Sequence, residues 1–151
     1  MLEWMQDINV VKDLKADFQS KTIDDCRNFI QYSWTCENKD LHLAITDDND
    51  IYQGTVSLKK IDTVTADAEF AITIRQCAMG KGLAISAMRA IFEHGKENLR
   101  LKKIYWCVDS NNVRAVRFYD KNKFRRTCDI PHYILARYID CSNLIWYSWE
   151  A

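Results

Sequence analysis

Residues 68–84 read Ala68-Glu69-Phe70-Ala71-Ile72-Thr73-Ile74-Arg75-Gln76-Cys77-Ala78-Met79-Gly80-Lys81-Gly82-Leu83-Ala84. Phe70, Ile72 and Ile74 alternate with Glu69, Thr73 and Arg75, which predicts a strand with one apolar face. The pattern breaks at Gly80-Lys81-Gly82 and resumes with helical spacing at residues 83–97, where Ala84, Ala87, Met88, Ile91 and Phe92 share a face. A strand passing through a glycine turn into a helix N-terminus builds an anion site. Unpaired backbone N–H groups point outward there, and the helix dipole adds about half a positive charge.

Composition narrows the partners. The chain has 151 residues, enough for one domain with its own core, and is 48% hydrophobic and 28% charged. Lys+Arg and Asp+Glu are equal at 21 each, so no global field favours nucleic acid or a membrane surface. No apolar run approaches the roughly 20 residues of a membrane span, and the N-terminus is amphipathic with charges of both signs, unlike a signal peptide. Six cysteines (Cys26, Cys36, Cys77, Cys107, Cys128, Cys141) show no CxxC spacing, and only three histidines accompany them. That pattern argues for reduced, mostly buried thiols in a cytoplasmic protein and against a metal site.

Outward from the central stretch, residues 3–14 carry a weak helical pattern, and Thr22 is a candidate N-cap with Asp24 and Asp25 in the first turn of a second helix. That helix turns Cys26, Phe29 and Ile30 inward. A polar break at 37–40 precedes a strand at 41–45, a turn at Asp47-Asp48-Asn49-Asp50 and a longer strand at 51–61 with a possible bulge at Gly54. The acidic turn lacks the spacing of a calcium loop. A strand at 101–108, a short helix from Val113 to about Lys121, and closing strands at 124–128 and 144–149 complete a mixed α/β order, β β β α β α β β after two helices.

The glycine turn excludes two familiar phosphate sites. A Walker A loop needs GxxxxGK followed by Ser or Thr, and a Rossmann fingerprint needs a third small residue three places beyond the second glycine, where this chain has Ile85 and puts Ala84 one place early; Met79-Gly80-Lys81-Gly82-Leu83-Ala84 meets neither. It does resemble the Arg/Gln-x-x-Gly-x-Gly/Ala turn of the GNAT superfamily of acetyl-CoA-dependent N-acetyltransferases. A second match lies thirty residues beyond Gly82, where Asn112-Val113-Arg114-Ala115-Val116-Arg117-Phe118-Tyr119 resembles the Asn-x-x-Ala-x-x-x-Tyr helix of that family. Met79 stands where the family has Arg or Gln, and Lys123 where it usually has Gly. Residues 2–10, 54–58 and 68–70 resemble the branch that acetylates ribosomal-protein N-termini and amino sugars.

The resemblance implies an α/β (α+β) GNAT fold in one domain over residues 1–151: a mixed, mostly antiparallel sheet flanked by helices. Family members usually begin with a strand ahead of the first helix, so the first strand is expected to be missing. The edge at 41–45 would then be exposed or covered by another chain, as in a homodimer. Acetyl-CoA is the implied co-substrate, with no metal. Its pyrophosphate would meet the backbone of Met79, Gly80, Lys81, Gly82, Leu83 and Ala84. Its pantetheine arm and thioester would meet the main chain of Ile72, Thr73 and Ile74 together with Asn112 and Ala115.

Acetyl transfer to an amine needs a neutral nucleophile, a stabilised oxyanion and a proton for the leaving thiolate. Tyr119 is the candidate general acid, by its place in the motif. Glu69, on the central strand, is the candidate base, with a salt-bridged strand residue as the competing reading and His132 as a second choice. His42 and His94 read as structural or exposed, and Cys107 as a buried thiol with no partner to activate it. Trp34, Tyr105, Trp106 and Tyr133 are either core or the lining of an acceptor pocket. The expected acceptor is an amino sugar or other small amine, then a peptide N-terminus, in a ternary complex with direct transfer. A GNAT-fold module that binds CoA without turnover is the alternative.

Overall fold

The computed structural model describes residues 1–35 and 40–151; Cys36 and most of the polar break at 37–40 lie outside them. Helices α1 (Leu2–Met5), α2 (Ile8–Val11) and α3 (Ile23–Ser33) open the chain. Strands β1 (Leu41–Thr46), β2 (Tyr52–Asp62) and β3 (Asp67–Ile74) follow as an antiparallel meander. Helix α4 (Leu83–Asn98) crosses to β4 (Lys103–Asp109), which runs parallel to β3. Then come α5 (Val113–Lys121), β5 (Arg125–Arg126), α6 (His132–Leu135) and β6 (Leu144–Glu150). The sheet order is β1-β2-β3-β4-β6-β5, and β3–β4 is the parallel pair. The mixed, mostly antiparallel sheet expected from the sequence is observed, with β1 at one edge.

The two faces of the sheet differ in chemistry. Leu58, Phe70, Ile104, Trp106 and Tyr147 are fully or nearly fully buried and meet Met88, Ile91 and Phe92 of α4. Burying each such side chain stabilises the fold by about 1.5–3 kcal/mol. The ring of Trp106 contacts Phe70, Phe92, Tyr119, Phe124 and Tyr147, so one strand residue joins α4, α5 and β6. The opposite face carries polar residues in cross-strand rows: His42 opposite Ser57 opposite Ala71, Thr55 opposite Thr73, and Lys59 opposite Glu69.

Over that polar face lies a second, smaller core of Trp4, Met5, Val10, Val11 and Cys26. It is pinned to the sheet by polar contacts. Trp4 Nε1 donates to Tyr52 Oη at 3.0 Å, Tyr52 Oη shares a 2.8 Å hydrogen bond with Thr55 Oγ1, and Arg75 forks onto both Glu3 oxygens at 2.7 and 2.8 Å. Thr22 caps α3 as expected, through a full capping box with Asp25. Met79 is half-buried and packs against both cores, so its side chain matters to the fold.

Several expectations need correction. The bulge falls at Gln53, which is unpaired while Ile45 faces Gly54 and Thr46 faces Tyr52. Gly54 has a different reason to be glycine: a Cβ there would come within 2.2 Å of the Thr73 carbonyl oxygen. The strand expected at 124–128 shrinks to Arg125–Arg126, both exposed, and residues beyond it form the unanticipated α6 and a 3₁₀ turn at Ala136–Tyr138. Of the five described cysteines only Cys26 is buried; Cys77 and Cys128 are exposed, and all five are free thiols. In α3, Cys26 is buried and Phe29 half-buried, whereas Ile30 turns outward. Among the described residues, no helix is long and apolar enough to cross a membrane.

Candidate active site

Strands β3 and β4 pair only at Asp67–Lys103, Ala68–Ile104 and Glu69–Tyr105. Beyond that register they part, although β3 continues to Ile74 and β4 to Asp109. Phe70 to Ile74 therefore have no β4 partner, while β2 still pairs their other edge. Parted parallel strands leave main-chain donors and acceptors facing a gap, which a linear amide such as a pantetheine arm can satisfy. Ile72, Thr73 and Ile74 lie on this unpaired edge, and Ala71 to Thr73 are half-buried there.

One end of the gap opens toward the glycine turn. After β3, a 3₁₀ turn at Gln76–Ala78 leads to Met79, Gly80, Lys81 and Gly82. Gly82 is the N-cap of α4 with φ 83, and no side chain caps that helix. The N–H groups of Gly82, Leu83 and Ala84 are among its unpaired first four. Gly80 has φ 79, and a Cβ at either glycine would meet nothing within 4 Å. Their requirement is therefore conformational, together with open space above the backbone, rather than a clash. Replacing Gly82 with glutamate forces a left-handed side-chain residue, costing about 1–2 kcal/mol, and sets a negative charge at an anion site. On the expected pyrophosphate assignment, CoA raises the melting temperature of the wild type and Gly82→Glu abolishes that rise; an undiminished rise, read by differential scanning fluorimetry, would refute the assignment.

Helix α5 follows β4 and borders the gap from that strand's side. Asn112 is its N-cap and accepts from the Ala115 N–H at 3.1 Å, which engages its Oδ1. Its Nδ2 makes no hydrogen bond among the described residues and is the atom that could reach a ligand. Ala115 is half-buried one turn further on. Tyr119 follows, 7% exposed, its ring 5.0 Å from Tyr147 and 5.6 Å from Trp106, the first β4 residue beyond the last β3–β4 pair. Its hydroxyl makes no hydrogen bond among the described residues. Burial pushes the phenol above its ordinary range, reinforced by Cys107 and Tyr147, so it stays protonated at neutral pH. Lys123 has φ 60, in the left-handed region that favours glycine.

Glu69 is 2% exposed and heavily engaged. Oε1 meets Lys59 Nζ at 3.0 Å and Tyr138 Oη at 2.6 Å, and Oε2 accepts from Arg137. Lys15 Nζ sits 4.5 Å from the Tyr138 ring centroid. Both carboxylate oxygens are therefore already taken up by two cations and a phenol. Cys107 beside it has its thiol pushed up to about 12, by burial first and by Glu69 next, and is no nucleophile at neutral pH. His132 is exposed at the start of α6.

A groove of about 350 Å³ opens on the polar face of the sheet. Met1, Trp4, Met5, Phe18 and Phe29 form its apolar walls, and His42, Thr55, Ser57, Lys59, Ala71, Ile72 and Thr73 its floor, with Lys21 and Asp25 at the rim. None of the four aromatics considered for this pocket lines it. Trp34 is exposed, Tyr105 and Trp106 are core, and Tyr133 donates its hydroxyl to Asp67. His42 and Ser57, by contrast, carry no motif and stand out only through cross-strand pairing. Among the described residues, no group of three or more His, Cys, Asp or Glu side chains is placed to hold a metal.

Residues 1–125 match the family described as "Acetyltransferase (GNAT) domain". A spermidine N(1)-acetyltransferase of Escherichia coli K12 is 37% identical over 79 residues, covering 52% of this chain and 42% of that protein; the match thus spans less than half of the relative. The Vibrio cholerae spermidine N-acetyltransferase, solved in complex with CoA and spermine, superposes with a TM-score of 0.75 at 19% identity, covering 97% of this chain and 84% of that one. A dodecameric structure of the Vibrio cholerae enzyme in an intermediate state gives 0.66 at 21% identity over 85% and 74% of the two chains. At these identities the structural likeness speaks to the fold.

Proposed function

Because the chain belongs to the GNAT acetyltransferase family, we propose that it transfers an acetyl group from acetyl-CoA to a primary amine, by direct attack within a ternary complex. The observation that carries this reading is the parting of β3 and β4 after Glu69 and Tyr105. The gap borders Gly80–Ala84 and α5 on one side of the sheet and the 350 Å³ groove on the other. A thioester laid in the gap and an amine held in the groove would meet across Ala71 to Thr73. Holding reactants in that relation supplies much of a transfer enzyme's rate.

In this scheme Gly80, Lys81, Gly82, Leu83 and Ala84, preceded by Met79, present backbone donors to the CoA pyrophosphate. Ile72, Thr73 and Ile74, with Asn112 Nδ2 and the small Ala115, orient the arm and the thioester. Tyr119 donates a proton to the leaving sulfur. Glu69 holds Lys59, Arg137 and Tyr138 in place beneath the groove.

The relatives' substrate makes a polyamine the first acceptor to try. The groove favours a different body. Asp25 is the single carboxylate among its described lining residues and is engaged by Thr22 in the capping box, while Lys21 and Lys59 add positive charge. A polycation gains little from such walls. An amino sugar or a peptide N-terminus, with one amine on a neutral body, suits them better. Assayed with acetyl-CoA against spermidine, glucosamine and short peptides, the protein is expected to turn over the neutral-bodied amines faster. A tenfold preference for spermidine would reverse the acceptor assignment. CoA-induced stabilisation without acetylation of any amine would favour the non-catalytic module.

A further inference from the structure

His42, Ser57 and Ala71 form one cross-strand row on the groove face, from the edge strand to the point where β3 leaves β4. Neighbours in such a row lie about 4.5–5.5 Å apart at Cα, so Ala71 borders the gap, Ser57 stands one strand back from it and His42 two, all on the groove face. His42 Nδ1 is 2.7 Å from Ser57 Oγ, and Ser57 is 6% exposed. With Nδ1 accepting from the serine hydroxyl, Nε2 carries the ring proton and faces Asp40 Oδ2 at 3.9 Å. Phe29 packs on the ring at 4.8 Å and fixes its plane.

Resting on the acetyltransferase reading, we propose that Ser57 and His42 form the relay that removes the proton from the acceptor ammonium. Ser57 Oγ takes a proton from the ammonium as its own hydroxyl proton passes to His42 Nδ1, leaving a neutral amine and an imidazolium. The Asp40 carboxylate stabilises that cation, and the Nε2 proton then leaves to solvent. The relay takes over the role that Glu69, clasped by Lys59, Arg137 and Tyr138, is poorly placed to fill.

Charged groups around the ring set its titration. Burial lowers the histidine below its usual 6.5; Asp40, preceding β1, opposes this, and Lys59 on β2 adds to it. Lys21 and Asp25 face the same groove from the α3 side. The imidazole is therefore neutral at pH 7 and able to accept a proton.

The test is the pH dependence of kcat/KM for wild type, His42→Gln and Ser57→Ala, with acetyl-CoA and whichever amine of the panel turns over. Both variants are expected to lose about a hundredfold at pH 7, while keeping the wild-type CoA-induced rise in melting temperature. Wild type should show an acidic limb below pH 6.5 that His42→Gln lacks, its rate following only the amine's own ionisation. A His42→Gln profile matching wild type in rate and shape overturns the relay and leaves the acetyltransferase reading standing. A wild type that binds CoA and acetylates none of the amines overturns both.

Discussion

Tyr119→Phe is expected to lower kcat by at least a hundredfold while leaving the melting temperature unchanged. Both halves follow from its surroundings. The ring sits against Trp106, Phe124 and Tyr147 at centroid distances of 5.6, 6.1 and 5.0 Å, and phenylalanine preserves those contacts. The hydroxyl has no partner among the described residues, so removing it leaves no buried donor or acceptor behind in the described structure. In the proposed mechanism what disappears is the proton for the departing thiolate, and general acids contribute about 10²–10⁴ in rate. Burial holds the phenol protonated well above neutral pH, so the loss should be similar from pH 6 to 9. Because the substituted atom lies outside the pyrophosphate turn, KM for acetyl-CoA should change little. A variant with full activity and an unaltered pH profile would show that the tyrosine is only part of the core.

The second large effect concerns stability. Glu69→Ala removes the carboxylate shared by Lys59, Arg137 and Tyr138 and strands two cations near the sheet. Breaking a buried ion pair by deleting one partner costs about 3–5 kcal/mol. Arg137 is 40% exposed and Lys59 24%, so water offsets part of this and about 3 kcal/mol is expected. For a domain of this size that lowers the melting temperature by roughly 6–12 °C. Glu69→Gln, which keeps the shape and one acceptor, should fall in between. Below its melting temperature, the glutamine variant should retain activity within about tenfold of wild type, because an anchor acts through position. An unaltered melting temperature with a hundredfold loss of rate would return Glu69 to the role of base.

The two residues show where sequence reading reaches and where it stops. The Gly80–Gly82 turn and the Asn112–Tyr119 helix are local: positive φ needs glycine, and spacings of three, four and seven share a helical face. The capping box of Thr22 and Asp25 is local in the same way. Glu69 is different, since its partners come from ten, sixty-eight and sixty-nine residues away. Nothing in a lone strand glutamate distinguishes a base from an anchor before those cations arrive. His42 reads as structural or exposed in the sequence for the same reason, its serine partner lying on another strand.

The order of elements from α3 to α5, the apolar face of α4, the glycine turn and the helix that carries Tyr119 were determined by the sequence alone, because each rests on backbone geometry and side-chain periodicity over a few residues. The tertiary structure decided how far β3 and β4 stay paired, which aromatics became core and which face received the groove. It also decided that cations clasp Glu69 while His42 pairs with Ser57. Those outcomes depend on register between distant strands. A shift of one residue would carry His42, Ser57 and Glu69 to the other face.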